Sequence, residues 1–143
     1  HLADSLKLAY EAGMEVLFVP KAEKAEHPNS VKMLLRKGTR KLSVTGISIG
    51  GGNIQISELN GFKISLSMGT PTLIIVHRDV PGMIAKVTNI LSETNTNIGT
   101  MTVTRESKGE NAIMIIEVDD PQVDDTVKKL NQLPNIDSVN YFD

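Results

Sequence analysis

Residues Thr72–Asn97, TLIIVHRDVPGMIAKVTNILSETNTN, run an apolar strand into a charged Pro-Gly turn that opens directly onto an amphipathic helix. The junction gathers His77 at the strand end, Asp79 in the turn and a helix N-terminus just beyond. Free backbone N–H groups and the helix dipole favour an anionic group at such a spot. A small zwitterion suits it, so the stretch reads as part of a ligand-sensing, regulatory piece of a metabolic enzyme.

The elements around it follow from period and punctuation. After Met68–Pro71 (MGTP), a natural boundary, we expect a strand at Thr72–Arg78, a helix at Gly82–Glu93 and a strand at Asn97–Arg105. A turn at Ser107–Glu110, a strand at Asn111–Val118, a helix at Pro121–Leu130 and a strand at Asp137–Phe142 complete a ferredoxin-like βαββαβ unit. Ile84, Val87, Ile90 and Leu91 follow the helical period and should pack on the sheet, as should Val123, Val127 and Leu130 on the second helix. Asp79 is a candidate cap for the first helix and Pro81–Gly82 its start. Met83, Met101 and Met114 sit in apolar patterns and read as core.

Upstream, Asp4–Ala12 reads as a short helix and Val16–Val19 as a short buried strand, with a polar loop at Lys21–Pro28. Strands are then expected at Ser30–Leu35, Leu42–Ser48, Ile54–Leu59 and Phe62–Leu66. Turns at Lys37–Arg40, Gly50–Asn53 and Asn60–Gly61 separate them, the last a strong hairpin signal. The fold class is α+β: a small mixed-sheet domain over residues 1–70, followed by the βαββαβ domain over 71–143.

Composition removes several function classes. The chain has 143 residues, 40% of them hydrophobic but only 3% aromatic, so aliphatic side chains must build its core. A net charge of −2 gives no basic footprint for nucleic acid or an anionic membrane. No apolar run approaches the roughly 20 residues of a membrane span, and no secretory pattern is present. The absence of cysteine rules out a disulfide framework, a thiolate nucleophile and a thiolate-held zinc or iron–sulfur cluster on this polypeptide. The simplest compartment is cytoplasmic, and a chain starting at His1 reads as a fragment.

Two segments are candidate ligand sites. At Asp79-Val80-Pro81-Gly82, a plain capped helix start competes with a ligand loop, in which Pro81 fixes φ and Gly82 admits close approach. His77 ahead of the loop and Asn97 behind the helix tip the balance toward the second. Imidazole, carboxylate and amide together suit a polar amino acid, brought together if two sheets associate across a subunit boundary. At His27-Pro28-Asn29, a simple turn competes with a pair of polar ligands, His27 and Asn29. Ser48–Asn53 (SIGGGN) lacks the Gly-Lys-Ser/Thr ending of a phosphate loop and reads as a bulged glycine turn. Asp119, Asp120, Asp124 and Asp125 lack EF-hand spacing and read as helix-capping charge, not a metal site.

The pattern His77-x-Asp79-x-Pro81-Gly82, then an amphipathic helix, then Asn97-Ile98-Gly99, resembles the ACT domain, a small regulatory module that binds amino acids. The match covers Thr72–Asp143. In the serine-responsive ACT domain of phosphoglycerate dehydrogenases, a His, an Asn before the Pro-Gly and an Asn after the helix hold serine at a dimer interface. His77, Asp79 and Asn97 occupy those places, and Asp79 departs from the Asn. An aspartate still accepts from an ammonium but repels a carboxylate.

The segments Ala25–Val31 (AEHPNSV), Leu42–Gln55 (LSVTGISIGGGNIQ) and Ile56–Phe62 (ISELNGF) resemble the β chain of bacterial, iron–sulfur-dependent L-serine dehydratases. In that family the first part is an allosteric-substrate-binding-like domain, and an ACT domain follows. The resemblance implies a non-catalytic part of a lyase that serves gluconeogenesis, turning L-serine into pyruvate and ammonia. The 4Fe-4S cluster and its cysteines would belong to a partner α chain, with no cofactor on this chain. It also implies a homodimer through the ACT domain and a small amino-acid ligand, with contacts to His27 and Asn29 possible in the first domain. A phosphoglycerate dehydrogenase C-terminal region and a pure dimerisation scaffold are the alternatives.

Overall fold

The computed structural model describes residues 2–21, 27–67, 69–105, 107–119 and 121–143. Most of the expected Lys21–Pro28 loop, Met68 of the MGTP boundary and Asp120 lie outside them. A 3-10 turn, Leu2–Asp4, leads into helix α1 (Ser5–Glu11). Strands β1 (Ser30–Lys37), β2 (Arg40–Gly50), β3 (Asn53–Leu59) and β4 (Phe62–Ser67) form a first sheet in sequential order. Then come β5 (Thr72–Arg78), α2 (Met83–Glu93), β6 (Ile98–Arg105), β7 (Asn111–Val118), α3 (Asp124–Asn131) and β8 (Ile136–Phe142). Their sheet has the order β6-β7-β5-β8, the ferredoxin-like arrangement with β5 and β7 central.

The first sheet is antiparallel throughout, not mixed. Tight hairpins join each neighbouring pair, and a hairpin can only return the chain antiparallel. At Asn60–Gly61 both φ values are positive (51° and 92°), as the type I′ turn requires. Gly50, Gly51 and Gly52 all have positive φ beside a register shift at Ser48/Gly50, which makes the bulged glycine turn.

One expectation fails outright. Val16–Val19 forms no strand and is not buried: Leu17 is 82% and Phe18 74% exposed. An apolar run becomes a strand only if another strand supplies its hydrogen bonds, and no pairing in either sheet includes these residues.

The core has two layers. On one side of β5 and β7, Leu73, Ile75, Met114, Ile116 and Val118 pack under α2 and α3 through Met83, Val87, Ile90, Leu91, Val123 and Leu130. On the other, Ile74, Ile113 and Ile115 meet Phe62 and Leu66 of β4, with Ile56, Leu59 and Ile64 around them. The first sheet thus covers the face that the two helices leave open. Its own apolar face continues past that contact, where Val31, Met33, Leu35 and Leu42 remain exposed.

Helix α2 buries positions 83, 87, 90 and 91, whereas Ile84 is 50% exposed. Met83, Val87, Ile90 and Leu91 are thus buried as expected, and Ile84 alone of the expected set faces outward. Gly82 occupies the N-cap with φ 86°, a conformation that costs an L side chain on the order of 1–2 kcal/mol. At its C-terminal end, Thr94 Oγ1 donates to the carbonyl of Ile90 at 2.8 Å. The hydroxyls of Thr94, Thr96 and Thr126 close a triangle at 2.8–3.1 Å that ties α2 to the first turn of α3. On α3, Val123 and Leu130 are buried as expected and Val127 partly so. Asp124 and Asp125 lie in its first turn but make no capping bond.

The burial pattern sets an expected contrast on α2. Leu91→Ala should cost about 3 kcal/mol of unfolding free energy, and Ile84→Ala no more than about 0.5 kcal/mol, in chemical denaturation. Equal losses at the two positions would mean that the helix face has been misassigned.

Candidate functional site

β5 alternates its side chains between the two core layers, and His77 falls in the helix-facing row with Leu73 and Ile75. It is 2% exposed. Its Nδ1 lies 2.8 Å from the Arg78 carbonyl, which can only accept, so Nδ1 carries the proton. In the neutral ring Nε2 is then an acceptor, and it is buried with no hydrogen-bond partner among the described residues. Such an atom carries a desolvation cost until a donor reaches it.

The loop that follows is pinned from both sides. The Arg78 N–H donates to the Asn135 carbonyl (2.9 Å) and the Asp79 N–H to the Glu110 carbonyl (2.7 Å). Asp79 does not cap α2, which has no side-chain cap. Its Oδ2 instead accepts from the Gly109 N–H at 3.1 Å and from Arg105 Nη1 at 3.0 Å, across the β6–β7 hairpin. The hairpin geometry explains this: Arg105 ends β6 opposite Ala112, and Gly109 turns the chain with φ 80°. The Gly109 N–H, then Arg105, hold the Asp79 carboxyl below its ordinary range. Val80, Pro81 and Gly82 are exposed at the mouth of the loop, where α2 begins, and the Met83 N–H donates to the Val80 carbonyl at 3.4 Å.

Asn97 lies elsewhere in the same chain. It follows α2, whose 11 residues span about 16 Å at ~1.5 Å per residue, so it sits at the end opposite His77 and Asp79. There its Nδ2 donates to Asp119 Oδ2 at 2.6 Å. It lines a depression of about 340 Å³ with Thr88, Ser92, Asn95 and Thr96 over Leu91 and Ile98. One chain therefore brings His77, Asp79, Val80, Pro81 and Gly82 together but not Asn97.

His27 and Asn29 belong to the entry of β1. The His27 Nδ1 accepts from the Asn29 N–H (3.2 Å) and its carbonyl from Ser30 Oγ (2.6 Å). The Asn29 carbonyl accepts from the Ser48 N–H. These are the bonds of a turn, in the sheet that does not carry His77. Sequence reading missed Arg105 and Gly109. No local signal marks them, because their link to Asp79 depends on the register of a hairpin 26 residues away. Among the described residues, no cluster of His, Asp and Glu could hold a metal ion. No helix among them is long and apolar enough to cross a membrane.

Residues 72–135 match the family model of the ACT domain. That part of the chain is an ACT domain.

Over most of its length the chain is similar to L-serine dehydratase β chains. It is 40% identical over 132 residues to a probable L-serine dehydratase β chain of Bacillus subtilis, covering 92% of this chain and 60% of that one. To the L-serine dehydratase β chain of Peptoniphilus asaccharolyticus it is 30% identical over 120 residues, 82% of this chain and 54% of that one. A D-3-phosphoglycerate dehydrogenase of Bacillus subtilis is 31% identical over 136 residues, 95% of this chain but 26% of the dehydrogenase. The chain thus spans less than two thirds of the length of each of these relatives.

Because the folded-state pKa of Asp79 is depressed, its bonds stabilise the native state above the ordinary carboxyl value of 3.8. That contribution fades as pH falls through the lowered native value. The gap in unfolding free energy between wild type and Asp79→Asn should be constant from neutral pH to about pH 5. Below that it should narrow in denaturation curves followed down to pH 2. A gap independent of pH would mean that the carboxylate is not held in this way.

Proposed function

We propose that this chain is the regulatory and structural part of an L-serine dehydratase β chain. In this reading residues 1–70 and 71–143 are separate domains, the first allosteric-substrate-binding-like. The ACT domain holds a small amino acid such as L-serine at the β5–α2 loop. The carrying observation is His77: a fully buried imidazole whose Nε2 lacks a donor, one residue from the helix-entry loop. A ligand hydroxyl or ammonium supplies that donor, and the N–H groups opening α2 suit its carboxylate.

The reading places Asn97 of a second copy opposite His77. β6 is an edge strand with unpaired backbone groups on one side, so two sheets can join there and bring complementary ends of α2 together. The holoenzyme would convert L-serine to pyruvate and ammonia in the cytoplasm, on a partner α chain that carries a 4Fe-4S cluster. An iron there would act as Lewis acid on the substrate hydroxyl. This chain carries no catalytic residue in that scheme, and His27 and Asn29 remain secondary candidates for effector contact. The higher identity and the larger share of the relative's own length, 60% against 26%, favour the dehydratase over the phosphoglycerate dehydrogenase alternative. The unpartnered imidazole favours sensing over a pure dimerisation scaffold.

Calorimetry on the chain with L-serine and other small amino acids should give saturable heat. In the complex of α and β chains, the double variant His77→Ala with Asn97→Ala should change the dependence of rate on serine while leaving assembly intact. No heat with any amino acid, together with unchanged kinetics in the double variant, would leave only the scaffold.

A further inference from the structure

The aspartate at position 79 poses a problem that the fold itself answers. A carboxylate beside the helix entrance would repel the carboxylate of an amino acid, because two like charges at close range disfavour one another. Asp79 does not stand alone, however. Its Oδ2 takes the Arg105 guanidinium at 3.0 Å and the Gly109 N–H at 3.1 Å. The pair is formally neutral, and it is built from two loops at the same end of the sheet.

Burial and exposure divide the two partners' work. The Asp79 side chain is 27% exposed and pinned through its own N–H to Glu110, whereas the Arg105 side chain is 56% exposed. The carboxylate is thus drawn toward the hairpin and the cation faces solvent beside the loop. From these contacts we infer that Arg105 is the specificity-determining residue of this site: by neutralising Asp79, it lets the loop accept the carboxylate of a zwitterionic amino acid. The inference rests on the amino-acid reading given above, and it makes Arg105 a positioning residue that acts through Asp79.

Charge compensation and simple bracing predict different behaviour when both charges are removed together. Using the full chain and L-serine in calorimetry, Arg105→Gln should weaken binding roughly tenfold, the effect of one uncompensated like charge at partial exposure. Arg105→Lys, which keeps the charge, should retain binding. The double variant Asp79→Asn with Arg105→Gln should return to within about threefold of wild type, since both charges are gone. L-serine methyl ester, which has no carboxylate, should bind Arg105→Gln no worse than wild type.

A ligand-free readout completes the test. In NMR titration of the side-chain carboxyls, the Asp79 pKa should rise in Arg105→Gln toward its ordinary value. Unchanged L-serine affinity in Arg105→Gln, or a double variant as weak as that single one, would overturn the inference and leave the amino-acid reading standing. If wild type takes up no L-serine, that reading fails, and the titration alone decides whether Arg105 compensates Asp79. A titration that does not move on loss of Arg105 overturns the inference in either case.

Discussion

The burial of β5 and β7 on both faces is the constraint from which the rest follows. Two helices cover one side and the β3–β4 hairpin the other, so both strands are apolar almost without interruption. A strand enclosed in this way has one workable register, because a slip of one residue would exchange the two core layers and their differently shaped partners. The seven consecutive pairings of β5 with β7, Thr72↔Glu117 through Arg78↔Asn111, show that register without a bulge.

That fixed register determines what the end of β5 can do. His77 occupies the last helix-facing place in the row, so its imidazole is buried by position and not by any preference of its own. Arg78 and Asp79 then leave the sheet where two other loops are held, at Asn135 and at Glu110. The loop before α2 is consequently shaped before any ligand arrives, which lowers the ordering cost of binding there. Gly82 completes the turn, because the chain enters the helix through a positive φ at the N-cap that glycine adopts without strain.

The C-terminal half was legible because its signals agree across levels. Near-continuous apolar runs marked β5 and β7, a 3.6-residue period marked α2, and Pro-Gly punctuated the junction between them. The misreadings came where one local pattern had two solutions. On α2, both Met83 and Ile84 fit an apolar stripe, and only Met83 lies on the face that carries Val87, Ile90 and Leu91. Asp79 has the residue type and place of a cap, yet the hairpin 26 residues away offers it a cation and an N–H together. A charge-assisted pair of that kind outcompetes a lone helix N–H, and nothing near Asp79 in sequence announces it. Val16–Val19 failed for the complementary reason: hydrophobicity states a need for burial but cannot supply the neighbouring strand.

If His77 and Asn97 serve one ligand, the helix between them constrains how such a site can report binding. His77 and Asn97 are separated by the length of α2, so a ligand touching both must touch two chains. Occupancy would then be linked to association, and each would strengthen the other by the same free energy. A site confined to one chain's β5–α2 loop would carry no such link, since nothing there changes when a second copy arrives. The anchoring of Asn97 matters for the same reason. Its bond to Asp119 ties the exit of α2 to the end of β7, a strand that also contacts β5. Both ends of the helix are therefore referenced to the same pair of central strands, which hold His77 and Asn97 at a constant spacing.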